Sequence, residues 1–329
     1  MIPPNASPLQ RSAAWLFLFC WLPLLGYGQP NVILDTDIDS DVDDVEALAM
    51  LHTLADRKQI RLLGVIVTSE DPYAPTCVSA INGYFGRPKL PIGFLKNQPA
   101  LVHQPRYKYT QQISEEFPRR LTSHEKAADA AGLYRKLLSN SPDGSVVIVT
   151  IGHLSSLQAL LQSGPDRHSP LSGPELVARK VDRWLCMGGL FPEGKEANFY
   201  SPDPRSTVYC LRHWTRPVTF AGWEVGNKIV TGGAYLKNKL SRRSPVYRAY
   251  ELYNNFAGRA SWDQVAVLLL LEDARKYFDW EEEGYCHVND DGTNQWRTDR
   301  DSPNQAYLRL KADADPAEIA WLMDDMVRP

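Results

Sequence analysis

The sequence predicts a single α/β domain in which a mostly parallel central sheet is flanked by helices. Short apolar runs rich in Val, Ile and Leu alternate with segments whose apolar residues recur at helical spacing. Strands that alternate with helices in this way form parallel sheets covered on both faces. No internal repeat and no dividing linker interrupts the pattern, which indicates one domain.

The amino-terminal residues 1–28 are expected to be a signal peptide rather than part of the fold. Arg11 precedes an apolar run over residues 13–25, and small residues end the segment at Gly28. The run is too short for an ordinary membrane span. We therefore expect residues 29–329 to form the mature domain, secreted or periplasmic and without membrane attachment.

The charge and the cysteines exclude some classes of protein. Loss of Arg11 with the leader takes the net charge from −3 to −4. A mildly acidic chain with scattered lysines and arginines offers no basic stripe for nucleic acid. The spacing of the remaining cysteines fits no zinc motif, and an exported protein could form one or two disulfides from them. They are Cys77, Cys186, Cys210 and Cys286.

The first predicted strand leads into an unusually acidic segment. The apolar, β-branched run over residues 32–34 predicts a buried strand, and apolar spacing from Asp43 onward predicts a helix with acidic residues in its first turn. Residues 35–44 connect this strand to this helix and contain six aspartates, and we call them the acidic loop. Its aspartates are Asp35, Asp37, Asp39, Asp41, Asp43 and Asp44. In an open parallel sheet, such strand-to-helix connections line the ligand crevice.

Crowded carboxylates need a compensating charge. Carboxylates in one small loop repel each other, raise each other's pKa, or share a cation. Calcium accepts such an all-oxygen, carboxylate-rich shell more readily than magnesium does. The acidic loop therefore predicts a calcium site.

The remaining elements follow in order along the chain. Further strands are predicted at 60–68, 91–95, 145–151, 182–187 and 218–221. Helices are predicted at 76–85, 127–138, 246–256 and 262–271. Two further helices are predicted, one that begins in the segment from residue 152 and a separate one that ends at residue 213. Residues 96–122 lack periodicity and are expected to be a long connection. The polar tail over 277–329 is expected to be a peripheral hairpin and helix.

Two other chemistries could use the acidic loop. The aspartates and Glu46 have the spacing of an EF-hand calcium loop, but Ser40 replaces the required Gly and a strand precedes the loop. An aspartate-nucleophile phosphatase would use Asp35 to attack phosphorus and Asp37 as acid or base. The further acids, beginning with Asp39, exceed what that chemistry requires.

A series of motifs resembles the nucleoside hydrolase family over roughly residues 31–271. The amino-terminal part is Asp35-Thr36-Asp37, followed by Asp43-Asp44 and Ala47-Leu48. The later parts follow in the family's order: Ile151-Gly152-His153-Leu154-Ser155-Ser156-Leu157, Met187-Gly188-Gly189, Glu196-Ala197-Asn198 with Asp203-Pro204, and Trp262-Asp263.

The resemblance implies a Rossmann-like calcium-dependent N-glycosidase that acts on a ribonucleoside or related riboside. It implies calcium ligands at Asp37, Asp44, the Ile151 carbonyl and Asp263. Asp37 would also act as general base on a metal-activated water, with inversion at the anomeric carbon. The implied substrate contacts are Asp43, Asp71, Glu196, Asn198 and Trp262.

The departures from the family motifs concern the leaving group. Trp262 stands where a His can protonate the departing base, and Trp cannot transfer a proton at neutral pH. Asp71 stands where an Asn donates to the sugar. The sequence therefore does not identify the aglycone as a standard nucleobase. The candidate acids for the leaving group are His153, Glu224, His103 and His124.

A non-enzymatic interpretation also fits the sequence. An exported nucleoside- or sugar-binding protein could keep the calcium site and lack turnover. In either case the expected partner is a small-molecule riboside. A homodimer or homotetramer is compatible with this interpretation.

Overall fold

A computed structural model describes residues 29–39, 41–96, 109–299 and 304–327. The predicted signal peptide and the candidate acid His103 lie outside these ranges. Among the described residues, no helix combines the length and the apolar composition that crossing a membrane would need.

The described strands and helices alternate over most of the chain. The strands are β1 (Asn31–Thr36), β2 (Arg61–Val67), β3 (Ile92–Phe94), β4 (Ala128–Asp129), β5 (Val146–Thr150), β6 (Val181–Met187), β7 (Glu193–Lys195), β8 (Val218–Ala221), β9 (Val230–Thr231), β10 (Arg259–Ala260), β11 (Phe278–Glu281), β12 (Tyr285–Val288), β13 (Thr293–Arg297) and β14 (Gln305–Leu310). The α-helices are α1 (Asp43–Asp56), α2 (Ala74–Tyr84), α3 (Thr110–Glu116), α4 (Ala130–Ser139), α5 (Ser155–Gln162), α6 (Gly173–Lys180), α7 (Ala197–Tyr200), α8 (Pro204–His213), α9 (Trp223–Gly226), α10 (Ala234–Lys239), α11 (Pro245–Asn254), α12 (Trp262–Leu268) and α13 (Pro316–Asp325). Short 3-10 helices occupy His124–Lys126 and Glu272–Lys276.

The central sheet is mostly parallel, as the sequence predicts. Its strand order is β11-β14-β8-β6-β5-β1-β2-β3-β4, and only the β11–β14 pair is antiparallel. From β1 the chain builds outward through β2 and β3 on one side, and β5, β6 and β8 extend the other side. The β1–β5 boundary is therefore a switch point, where open parallel sheets bind their ligands at the carboxyl ends of the strands.

Helices cover both faces of this sheet. Val32 and Leu34 of β1 belong to one buried cluster, whereas Ile33 belongs to a second cluster. Because successive side chains of a strand point to opposite faces, the two clusters lie on opposite sides of the sheet. The continuous apolar runs in the sequence reflect this burial on both faces. The fold is a single-domain α/β fold, and that prediction is confirmed.

The carboxyl-terminal tail departs from the prediction of a peripheral hairpin and helix. The hairpin of β12 and β13 exists, but β14 enters the central sheet in parallel with β8. In addition, β13 pairs with β7, which lies in the segment predicted to be a polar loop. A local pattern identifies a strand but not its partner, so the tail's contribution to the sheet was not visible in the sequence.

Two helices differ from expectation, and the state of the cysteines, which the sequence left open, is now defined. The predicted long connection contains α3, and α6 was not predicted although Ser172 and Glu175 form a capping box at its start. The four described cysteines are buried free thiols, so no disulfide forms among the described residues.

Candidate active site

A cavity of about 390 Å³ opens at the carboxyl ends of the strands beside the β1–β5 switch point. It collects most of the sequence-predicted site residues together with several that were not predicted. The predicted residues that line it are Asp37, Asp43, Asp44, Ile151, Glu196, Asn198, Trp262 and Asp263. The other lining residues, to which the sequence assigned no individual role, are Asp41, Met187, Ala197, Trp223, Tyr253 and Arg259.

The strand ends hold the acidic loop against the segment that follows β5. The Ile151 N–H donates to the Asp35 carbonyl at 2.8 Å, which continues the parallel pairing past the end of β5. A Cβ at Gly152 would lie 2.6 Å from the Asp37 nitrogen, so only glycine permits this approach. The strand before the loop also rules out an EF-hand, which requires a helix there.

Three buried carboxylates form the centre of the cavity. Oxygens of Asp43, Asp44 and Asp263 all lie within 4.8 Å of one another. Asp43 and Asp44 begin α1, and Asp263 lies in the first turn of α12, so these two helices point their amino-terminal ends at the same place. The Asp263 N–H donates to Asp43 at 3.4 Å. We call these three residues the carboxylate triad.

The triad differs from the predicted ligand set in one position. Asp43, predicted as a substrate contact, belongs to the cluster, whereas Asp37, predicted as a ligand, lines the cavity beside it. Thr36 orients one member, because its hydroxyl donates to an oxygen of Asp44 and accepts from the Ile38 N–H. The local sequence could not show which aspartates lie nearest to Asp263, since that depends on where α12 packs.

Burial and mutual repulsion disfavour the charged form of these groups. Burial is the largest cause that raises the pKa of Asp37, Asp43, Asp44 and Asp263, and repulsion by neighbouring aspartates raises it further. No described Lys or Arg forms a salt bridge with the triad. An all-oxygen donor set that lacks such a partner has the chemistry of a site for a hard divalent cation.

Glu196 and Asn198 form the wall opposite the acidic loop. Both oxygens of Glu196 accept backbone N–H groups, from Asn198 at 2.9 Å and from Gly189 at 3.0 Å. Burial raises the pKa of Glu196 to about 7, although these hydrogen bonds oppose the rise. Asn198 donates to the Ile151 carbonyl at 3.3 Å, so the wall contacts the residue predicted as a main-chain ligand.

The mouth of the cavity is aromatic and contains one ion pair. The rings of Trp223 and Trp262 lie 6.3 Å apart and nearly parallel, and the Trp262 indole donates to the Trp223 carbonyl at 3.1 Å. The Arg259 guanidinium lies 4.6 Å from the Trp262 ring centroid and binds both oxygens of Asp41. Tyr253 completes this side. Sequence reasoning missed Arg259, although it stands three positions before the predicted Trp262-Asp263 motif.

Two predicted carboxylates lie away from the cavity. Asp71 is buried beneath the loop after β2, where it accepts from the Thr110 hydroxyl at 2.5 Å and from the Tyr73 N–H at 2.8 Å. It does not line the cavity, so the predicted sugar contact at Asp71 finds no support in the geometry. Asp35 accepts from the Tyr134 hydroxyl at 2.7 Å, and burial raises its pKa to about 8. It does not face the cavity as an attacking nucleophile would have to, which disfavours the phosphatase alternative.

The candidate leaving-group acids also lie elsewhere. His153 is buried, with Nδ1 3.0 Å from the Ser155 hydroxyl and Nε2 3.8 Å from Glu70. Glu224 accepts from the Phe191 N–H at 2.9 Å. His124 packs edge-on against Phe94. None of the three candidates lines the cavity.

Comparisons with known proteins agree with this arrangement. A model of the inosine-uridine preferring nucleoside hydrolase family matches residues 32–319. A search of curated protein sequences finds no match. The inosine-uridine preferring nucleoside hydrolase from Bacillus anthracis superposes with a TM-score of 0.68 at 14% identity, covering 91% of this chain and 99% of the other.

Two further solved structures share the fold at low identity. A plant nucleoside hydrolase, PpNRh1, gives a TM-score of 0.65 at 16% identity over 91% of this chain and 98% of its own. The type III effector protein XopQ, solved in complex with adenosine diphosphate ribose, gives 0.64 at 15% identity over 91% and 93%. At such identities the likeness shows the fold alone.

The family model covers most of the chain, and the ordered motifs lie inside the match. The structure places most of those motifs around one cavity. The chain belongs to the inosine-uridine preferring nucleoside hydrolase family and is a hydrolase that acts on N-glycosyl compounds.

Proposed function

We propose that this protein hydrolyses the N-glycosidic bond of a ribonucleoside or related riboside in a calcium-dependent reaction with Asp37 as general base. One observation carries the proposal: the carboxylate triad converges in the cavity that Asp37 and Ile151 also line. Membership of the family supplies the reaction class. The triad and its surroundings support the choice of ion.

Calcium fits the donor set better than other common ions do. The triad supplies carboxylate oxygens, and the Ile151 carbonyl in the same cavity can add a main-chain oxygen. Calcium takes six to eight oxygen ligands in flexible geometry, so sugar hydroxyls and water can complete the shell. When bound, the ion supplies positive charge that makes a neighbouring water more acidic and orients the hydroxyls that reach it.

Asp37 is suited to remove a proton from the attacking water. It lines the cavity beside the triad, where a bound cation would favour its ionised form, and an ionised carboxylate can accept a proton from a neighbouring water. Water attacks the anomeric carbon as the bond to the aglycone breaks. The reaction therefore inverts the anomeric centre and forms no covalent enzyme intermediate.

The sugar lies between the acidic loop and the opposite wall in this proposal. Glu196 and Asn198 hold ribose hydroxyls, and Asp43 binds a further hydroxyl through the carboxylate oxygen that it does not give to the ion. The negative field around these groups stabilises the oxocarbenium-like transition state. The backbone N–H groups fix the Glu196 carboxylate while further lone pairs remain for a hydroxyl.

The mouth receives the aglycone. Trp262 presents a ring face on which a planar leaving group can stack, next to Trp223 and Arg259. None of the candidate acids His153, Glu224 and His124 lines the cavity, so none is assigned a role in protonating the leaving group.

The decisive experiment measures hydrolysis of inosine, uridine and p-nitrophenyl riboside with and without a calcium chelator. We expect activity that the chelator abolishes and calcium restores, and about 100-fold or greater loss in Asp37→Asn. Asp313→Asn, an exposed aspartate without a described partner, is the matched control and should keep wild-type activity. Activity that survives chelation, or an unchanged Asp37→Asn, would contradict the proposal.

A binding protein without turnover is the second candidate. The XopQ structure, which shares this fold, contains adenosine diphosphate ribose, so the fold is compatible with holding a ribosyl ligand. Calcium-dependent retention of inosine or adenosine diphosphate ribose, without product, would favour this candidate over the hydrolase.

Export and assembly remain parts of the proposal. We propose that residues 1–28 direct secretion or transfer to the periplasm and that residues 29–329 act on a small riboside there, as a homodimer or homotetramer. Mass spectrometry of the amino-terminal peptide of the exported protein tests the first point. Analytical ultracentrifugation, which measures its sedimentation coefficient, tests the second. An intact Met1 in the exported protein would contradict the first point, and a monomer would contradict the second.

A further inference from the structure

A second cavity of about 500 Å³ lies at the β3–β4 edge of the sheet. It is formed by the turn before β3, the segment between α3 and β4, helix α4 and the loop between α5 and α6. It shares no residue with the acidic cavity. We call it the basic cleft because of the side chains that line it.

Five cations from four segments line the basic cleft. They are Lys89, Arg120, Lys126, Lys136 and Arg167. His168 also lines the cleft, and the only acidic residue among the described lining residues is Asp129. This concentration runs against the chain's net charge of −3. Scattered surface lysines and arginines would not produce it.

These cations lack acidic partners among the described residues. None of the five forms a salt bridge with a described carboxylate. Lys126 donates to the Thr122 hydroxyl at 2.9 Å and Arg167 to His168 at 3.2 Å, and neither contact neutralises a charge. The Asp129 carboxylate accepts the Gly132 N–H as the amino-terminal cap of α4. The cleft therefore keeps an uncompensated positive field that an anion would complete.

The lining defines the class of anion. The size of the cleft suits a small molecule, and its floor includes the apolar side chains of Leu90, Ile92 and Leu133. No Phe, Tyr or Trp is among the described lining residues, so the cleft offers no aromatic ring on which a nucleobase could stack. Lysine and arginine bind phosphoryl oxygens strongly, and five cations from four segments offer more N–H donors than a single phosphate can use.

We propose that the basic cleft binds a small soluble anion that carries two or more phosphoryl groups. Binding is independent of the acidic cavity, because the two sites share no lining residue. The affinity falls as salt rises, since the cations are exposed and screening weakens their attraction.

Isothermal titration of the mature protein with tripolyphosphate, pyrophosphate and orthophosphate tests the proposal in calcium-free, low-salt buffer. We expect tripolyphosphate to bind about tenfold or more tightly than orthophosphate. The double variant Arg120→Gln/Lys136→Gln should weaken tripolyphosphate binding about tenfold or more. Arg205→Gln/Arg212→Gln removes the same charge from exposed positions of α8 outside the cleft and should change binding less than about twofold.

Three controls keep the outcome decisive. Circular dichroism melts show that each variant is folded before titration. Asp263→Asn should bind tripolyphosphate like wild type, and a loss there would assign the binding to residual metal in the acidic cavity. Vesicles with a doubly phosphorylated lipid headgroup should not displace tripolyphosphate, and displacement would contradict a soluble ligand. Equal loss in both double variants, or no difference between tripolyphosphate and orthophosphate, would overturn the proposal.

Discussion

The floor and the mouth of the acidic cavity are built in different ways. The floor, formed by the buried carboxylate triad and the half-buried Asp37, lies at the ends of β1, α1 and α12. The mouth, formed by Trp223, Trp262, Arg259, Asp41 and Tyr253, is more exposed and shares α12 with the floor through Trp262. In the proposed function, the floor holds the reacting groups on strand and helix ends, and the more exposed mouth contacts the aglycone.

The largest expected effect comes from the floor. Asp263→Asn should lower kcat/KM by about 100-fold or more and weaken calcium binding, because one ligand of the triad is lost. The same variant should melt at a higher temperature than wild type in chelator, since it removes one of three repelling buried carboxylates. Calorimetric melts and calcium titration measure both effects. A lower melting temperature in chelator would contradict the assignment of the triad as a cation site.

The next largest effect is the pH dependence of folding stability in the absence of calcium. Burial and repulsion raise the folded-state pKa of Asp43, Asp44 and Asp263 above the unfolded value of about 3.9. Below about pH 4 these carboxylates are protonated in both states, so ionisation costs the folded protein no stability. As pH rises toward the folded pKa values, the free-energy cost of ionising them in the folded protein grows. We expect the chelated protein to lose stability from pH 4 upward, and calcium to reverse most of that loss at neutral pH. Stability in chelator that rises over this range would contradict the prediction.

Changes at the mouth should be smaller and selective. Trp262→Ala should lower kcat/KM for nucleosides about tenfold through the loss of ring stacking, while Trp262→Phe keeps most activity. Calcium affinity should stay within about twofold of wild type in both variants. Kinetics with inosine and with a non-aromatic riboside separate the effects. Equal losses on both substrates would show that Trp262 belongs with the floor.

Arg259 should have a moderate effect at the mouth. Arg259→Lys keeps the charge but loses the paired hydrogen bonds to Asp41, so KM should rise about two- to fivefold with kcat nearly unchanged. Steady-state kinetics measure the two constants separately. A larger loss in kcat would place Arg259 in the reaction itself.

Asp71 provides the smallest expected change. Asp71→Asn should leave kcat/KM within about twofold of wild type, because the side chain contacts Thr110 and Tyr73 rather than the cavity. The kinetic assay used for Asp37→Asn measures it directly. A loss comparable to that of Asp37→Asn would show that Asp71 reaches the sugar when substrate is bound.

Much of the floor could be predicted because its residues lie in contiguous motifs at strand and helix ends. Strand periodicity located the acidic loop, and the order of later motifs located Ile151 and Asp263. The mouth could not be predicted in this way. Arg259 pairs with Asp41 although 218 positions separate them, and no local pattern marks such a contact. His153 and Glu224 do not line the cavity, because a side chain that follows a strand can point away from the crevice.

The sequence by itself determined the fold class and the family, because apolar periodicity and local motifs are properties of neighbouring residues. It also predicted a cluster of carboxylates that could hold a cation. Only the tertiary structure decided that Asp43, rather than Asp37, joins Asp44 and Asp263, and that β14 completes the sheet. Those outcomes depend on how α12 and the tail pack against α1 and β8, and packing between distant segments is set by the whole core rather than by any local stretch.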